Sequence, residues 1–193
     1  MLAIDNGFEA IDALYREAEQ ALHEAETVHH ELSVPSVNQL RYAGRHVLSA
    51  LVGADAAAAE EEKQRAQRHC QRAIYDAFDG ITSYLLESIA DFKADYARIE
   101  ITPHFPRYHE TLEKARNARD LLIKARTVSD DRHRYYTDCR KAARELKSCH
   151  DAMELAREEL NKAIKNRNRV VYFAWAGIVV ALIGVAATVL VSK

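Results

Sequence analysis

Residues 135–191 read YYTDCRKAARELKSCHDAMELAREELNKAIKNRNRVVYFAWAGIVVALIGVAATVLV, and a single stripe runs through them. Tyr135, Cys139, Ala142, Leu146, Cys149, Met153, Ala156, Leu160, Ala163, Arg167, Val170, Ala174, Gly177, Ala181, Gly184, Thr188 and Val191 are spaced four and three apart in alternation, and only Arg167 among them is charged. That is a 3.5-residue repeat, the period at which a helix keeps one face toward a partner in a left-handed coiled coil. The spacing predicts one continuous helix from about Asp131 to Val191.

The last third of this stretch differs from the rest. Residues 170–191 contain no charge and would span about 33 Å as a helix, against about 30 Å for a bilayer's hydrocarbon core. The sequence therefore predicts a cytosolic bundle over 1–130, a stalk helix packing on it over 131–169, and a transmembrane anchor over 170–191. Lys165, Arg167 and Arg169 stand before the apolar run, and only Ser192 and Lys193 follow it. By the positive-inside rule this places the N-terminal part in the cytoplasm, a tail-anchored single-pass topology with the bilayer as partner. Tyr172 and Trp175 suit the headgroup region. Ala174, Gly177, Ala181, Gly184 and Thr188 are small enough for two helix backbones to approach closely. Together with Cys149, Met153 and Leu160 on the same stripe, they predict a homo-oligomer. A wet pore would need repeated polar groups, and the stripe offers only Thr188 within the run, so dry packing is preferred to a channel.

Outward from this helix, the composition is that of an all-α protein. The chain has six Gly and three Pro in 193 residues, and Ala, Glu, Arg and Leu dominate. Helical spacing of apolar residues predicts further helices over about 6–32, 37–52, 55–100 and 107–126, separated by Ser33-Val34-Pro35, Gly53 and Thr102 to Pro106. Ser36 with Gln39 reads as a capping box, Asp55 as the cap of the third helix, and Ser129 or Asp130 as the cap of the last. Connections this short favour antiparallel neighbours, so the fold class is an up-down helical bundle whose long C-terminal helix continues into the span.

Net charge is −2, which gives no overall case for a nucleic-acid binder. The N-terminus has no basic region followed by a long apolar stretch, so it does not read as a signal peptide. Cys70, Cys139 and Cys149 form no close pair, which argues against a disulfide framework and fits a reducing compartment. Neighbours such as His69-Cys70 and Cys149-His150 point about 100° apart on a helix and cannot readily share one ion, so no metal is expected. No Gly-rich phosphate loop, nucleophile elbow or paired-carboxylate motif is present, and no cofactor is expected.

Two clusters carry candidate chemistry. Arg65, Arg68, His69 and Arg72 form a basic patch on the third helix, able to contact RNA phosphates or anionic lipid, or to pair with Glu60 to Glu62. Arg41-Tyr42-Ala43-Gly44-Arg45-His46 sets an Arg and a His on one short helix, an anion holder and a proton-transfer group. This second cluster resembles the signature of HEPN-type helical ribonucleases. The stretch from Asn38 to Phe78 is similar to small HEPN-like bacterial bundles, some of which are fused to membrane helices in anti-phage and CRISPR accessory proteins. The resemblance implies that Arg41 holds a scissile phosphate, that His46 transfers a proton, that the site forms across a dimer, and that the protein sits at a bacterial inner membrane in antiviral defence. Tyr42 departs from the family pattern, which often has a polar residue after the Arg. Taken together, the sequence is read as a non-enzymatic, self-associating membrane scaffold or effector whose bundle binds a protein or RNA. A HEPN-like ribonuclease using Arg41 and His46 and a depolarising pore are the alternatives.

Overall fold

The computed structural model describes residues 6–53, 55–128 and 131–191, with side chains from Gly7 to Leu182. Five helices follow one another: α1 (Asn6–His29), α2 (Val34–Val52), α3 (Ala56–Asp95), α4 (Tyr108–Thr127) and α5 (Tyr136–Val191), the last preceded by a 3₁₀ turn at Arg132–Tyr135.

The helix ends follow local chemistry. The chain leaves α1 at His30, whose φ of 58° breaks the helical path, while its N–H still bonds the Glu26 carbonyl at 2.9 Å. α2 begins earlier than the expected Ser36 cap. Its N-cap is Ser33, and Pro35 lies in the first turn, where a missing N–H costs nothing and the fixed φ suits the helix. Ser36 is buried and its hydroxyl meets that of Ser33 at 2.8 Å, so no capping box forms. At α3 the cap is as the sequence predicts: the Asp55 carboxylate accepts from the N–H groups of Ala57 and Ala58 at 3.2 and 3.3 Å. The Ser129 and Asp130 cap lies outside the described residues.

α3 is the centre of the bundle. Ile74, Phe78, Ile81, Leu85, Ile89 and Phe92 are all buried along it, and α1, α2, α4 and α5 pack on it. Pairs across the interfaces give the helix directions. His46 of α2 meets Glu62 of α3 and Gln39 meets His69, so α2 runs against α3. Ser88 and Asp95 of α3, and Tyr96 that caps it, meet His150, Arg157 and Asn161 of α5 in rising order, so α5 runs with it. Arg126, late in α4, forks onto Asp79 in the middle of α3 at 3.0 and 2.9 Å, while Leu112 and Ala115, earlier in α4, line one groove with Ile89 and Lys93, later in α3, so α4 runs against it. The directions therefore alternate, as expected of an up-down bundle.

The stripe of α5 has a different partner from the one its spacing suggests. Cys139, Leu146, Cys149, Met153 and Leu160 are each at most 1% exposed within this single chain. They close the bundle's own core against α3 and α4 rather than a second copy, because an amphipathic helix buries its apolar face against the nearest complementary surface. Residues 136–164 are thus a full member of the bundle. From Val170 onward every described side chain is exposed.

The transmembrane span is corrected. Among the described residues, no helix is long and apolar enough to cross a membrane. The tail-anchored topology and the single-pass membrane localisation, with N-terminus cytoplasmic, fall with the span. Of the residues expected at the membrane interface, Arg167 instead donates to the Arg98 carbonyl at the end of the bundle, and Tyr172 and Trp175 are exposed. Ala174, Gly177 and Ala181 lie on the exposed length. Gly184 and Thr188 lie outside the residues whose side chains are described.

Phe92 is fully buried, 4.7 Å from the Tyr96 ring and with the Arg157 guanidinium 5.1 Å from its centroid. Phe92→Ala is expected to cost about 3–5 kcal/mol in urea denaturation. Leu155→Ser, at a position 82% exposed on the opposite face of α5, is expected to stay within about 0.5 kcal/mol.

Candidate functional site

The turn at Gly53 and Asp55 folds α2 back along α3, and pairs of residues equally distant from it come together. Gln39 stands opposite His69, and His46 stands opposite Glu62. On α2, Gln39 and His46 are seven residues apart and share one face. On α3, Arg65, Arg68, His69 and Arg72 follow the i, i+3, i+4, i+7 pattern of one helix face. Antiparallel packing lays the two faces edge to edge, so the two candidate clusters become one site. His46, Arg65, Arg68, His69 and Arg72 line a cavity of about 180 Å³, closed on another side by His133 from the 3₁₀ turn before α5.

The two imidazoles are stacked, with centroids 5.1 Å apart and planes 12° from parallel. Each is held through Nδ1. His46 Nδ1 is 2.6 Å from a Glu62 carboxylate oxygen, and His69 Nδ1 is 2.7 Å from the Gln39 side-chain oxygen. Both partners are acceptors, so each Nδ1 carries a hydrogen and each Nε2 is left to exchange a proton with a ligand. The bond to His46 lowers the Glu62 carboxyl below its ordinary range, aided by the charges of His46 and Arg65. Glu62 is thereby kept ionised behind His46. The His69 value is also lowered, first by burial and then by the positive charges of His46, Arg72 and Arg68.

The three arginines are not equivalent. Arg65 is taken up by Glu61 at 2.5 Å and Glu62 at 2.9 Å. Arg68 is exposed and makes no hydrogen bond or ion pair with any described residue. Arg72 reaches toward Asp76, whose side chain is 7% exposed and 3.3 Å from Arg132. Burial raises the Asp76 carboxyl, against the opposing pull of Arg132 and Arg72. Among the described residues four buried side-chain polar atoms lack a partner, and three belong to this cluster: Arg72 Nε, Asp76 Oδ2 and Arg132 Nε. No carboxylate lines the cavity itself, so its interior is cationic although the chain as a whole carries a charge of only −2.

Arg41 does not join the cavity. Five residues on a helix separate it from His46 by about 140°, and its guanidinium lies 5.1 Å from the ring centroid of Tyr42. The expected Arg41–His46 pair is therefore replaced by His46 and His69. In the sequence His69 stood in a basic patch and beside Cys70, with nothing to mark it as the partner of His46. What would have found the pair is the hairpin register, which sets Gln39 against His69 and His46 against Glu62.

Two other features carry no chemistry of this kind. Cys70 and Cys139 are buried thiols, each pushed up to about 12 by burial, which keeps them as packing groups. Among the described residues no group of three His, Cys, Asp or Glu side chains is placed to hold a metal ion. No family model, no curated protein and no solved structure matches the chain, so the site is read from its own geometry.

In the unfolded chain His69 takes up its proton near the ordinary value of about 6.5, and in the fold it does so at lower pH. Between these values the unfolded chain binds more protons, so this group removes stability as pH falls through the window. Imidazole NMR titration is expected to place His69 below the ordinary value. Arg72→Gln, which deletes a facing positive charge, is expected to move it upward. A midpoint unmoved by that change would show that Arg72 does not contribute to it.

Proposed function

We propose that the cavity binds a phosphodiester of RNA and cleaves it by proton transfer between two histidines. The observation that carries this reading is the convergence of His46 and His69, stacked and each held by Nδ1, with Arg68 and Arg72 in one small cationic cavity. The arginines suit a phosphate's oxygens, which guanidinium groups bind in a planar fork. The cavity is smaller than the roughly 300 Å³ of pockets that enclose whole small molecules, so it takes the phosphate and leaves the rest of the ligand outside.

The chemistry divides between the rings. His69, disposed toward its neutral form, takes the proton from the ribose 2′-OH. The 2′-oxygen then bonds to phosphorus, the bond to the 5′-oxygen breaks, and His46 gives that leaving oxygen its proton. Glu62 orients His46 and balances the charge of the proton it carries. The products are a 2′,3′-cyclic phosphate and a free 5′-OH. The motif resemblance to HEPN-type ribonucleases agrees with the reaction class, although the partner of His46 differs from that family's Arg.

A second reading, a self-associating scaffold, draws support from the exposed apolar length of α5 between Val170 and Leu182. A Cβ on Gly177 would meet nothing within 4 Å, so Gly177→Leu leaves the fold intact. Mass photometry of that variant is expected to show a smaller assembly than the wild type, and an unchanged mass removes this reading.

For the preferred reading, the full chain is incubated with a labelled single-stranded RNA. Cleavage leaving a 2′,3′-cyclic phosphate is expected, with His46→Ala and His69→Ala each slower by about 10²–10⁴-fold. Equal rates in all three proteins, or no cleavage by any, would overturn it.

A further inference from the structure

The largest feature beside the cavity that the reaction leaves unused is an aromatic side chain at its rim. Tyr42 is 40% exposed, though it stands on a helix that buries Leu40 and Ala43 on either side of it. Its ring is 5.5 Å from the His69 ring, tilted by 42°, and His69 is in turn stacked on His46. Three rings therefore run without a gap from the cavity to solvent, and Tyr42 is the outermost. The Arg41 guanidinium lies over Tyr42 at 5.1 Å, so a cationic plane and an aromatic plane meet on one exposed patch.

We infer that Tyr42, with Arg41, is a base-stacking platform, and that the site takes single-stranded rather than duplex nucleic acid. The inference rests on the phosphate-binding reading of the cavity. A phosphate held there by Arg68 and Arg72 leaves its nucleoside outside, beside the nearest exposed ring. A nucleobase presents a flat π-face that a tyrosine ring accepts whatever the base, and a guanidinium adds a cation–π contact to the same stack. A base inside a duplex is already stacked on both faces and cannot lie on a protein ring without leaving its pair. The arrangement also gives Arg41 a role apart from the scissile phosphate: it completes the platform instead of reaching into the cavity. Tyr42 and Arg41 are thus specificity residues, while His46 and His69 do the chemistry.

The test measures binding of full-length protein to labelled eight-nucleotide strands carrying 2′-O-methyl riboses, which cannot be cleaved through the 2′-oxygen. Four probes are compared by fluorescence anisotropy: a base-bearing single strand, the same strand made abasic, its duplex, and inorganic phosphate as competitor. Wild-type protein is expected to prefer the base-bearing strand to the abasic strand and to the duplex by about tenfold or more, the size of one base–aromatic stack. Tyr42→Ala is expected to lose that preference and bind both single strands at the abasic level, with phosphate competition unchanged. Tyr42→Phe is expected to retain it. Arg68→Gln, an exposed change, is expected to weaken both strands alike. Equal binding of the two single strands by wild type, or wild-type binding of the base-bearing strand by Tyr42→Ala, overturns the platform. If Arg68→Gln still weakens both strands in that case, the phosphate reading survives and only the platform falls. If Arg68→Gln changes nothing either, the cavity does not hold phosphate and both fall.

Discussion

Four helices are arranged around α3, and the rest of the structure depends on its burial. A surface helix needs one apolar stripe, but α3 buries Cys70, Ala73, Ile74, Tyr75, Ala77 and Phe78 in succession, positions that face several directions at once. Small residues alternate with large ones, so neighbouring helices approach closely at Ala66, Ala73 and Ala77 while Phe78 and Phe92 fill the spaces between. α1 and α5 run with α3, and α2 and α4 run against it. Once that axis is set, Glu62, His69, Asp79 and Ser88 on α3 are each assigned a neighbour on another helix.

The candidate cavity is a consequence of this arrangement. α3 is long enough to extend beyond its fully buried centre toward the Gly53–Asp55 turn, and there its face carries Arg65, Arg68, His69 and Arg72 beside α2. Concentrating cations in one place is unfavourable unless something offsets it. Glu61 and Glu62 neutralise Arg65, and Asp76 draws in Arg72 and Arg132. Arg68 has no such counterpart among the described residues, and His69, buried beside these charges, holds its proton less tightly. An incompletely balanced cluster in a chain of near-zero net charge is where an anionic ligand gains most, because the unfavourable field is already in place before it binds.

α5 shows how one pattern can have two physical outcomes. Its 3.5-residue stripe is a statement about one helix face, and any complementary surface satisfies it. Between Cys139 and Leu160 that surface is the chain's own bundle, supported by Arg157 bridging Glu154 and Asp95 and by Arg140 and Arg144 reaching Glu17 and Glu24 on α1. Beyond Ile164 the bundle ends, since α3 stops at Asp95 and the following loop passes beneath α5. The same periodicity then continues on an exposed helix. Coiled-coil spacing alone does not distinguish a core seam from an intermolecular one.

Helix content, the positions of the breaks and the Asp55 cap were legible from residue order, because helical spacing, Pro, Gly and capping side chains act within a turn or two of themselves. Both halves of the candidate site were legible as well, His46 on one helix and Arg65, Arg68 and Arg72 on another. Their union was not, nor was the replacement of Arg41 by His69 as the partner of His46. That depended on the register of the α2–α3 hairpin and on the rotation of each helix about its axis, and both are set by which apolar faces pack on α3. Long-range packing decides which side of a helix meets solvent, and a difference of 140° between Arg41 and His46 separates a rim residue from a residue of the cavity.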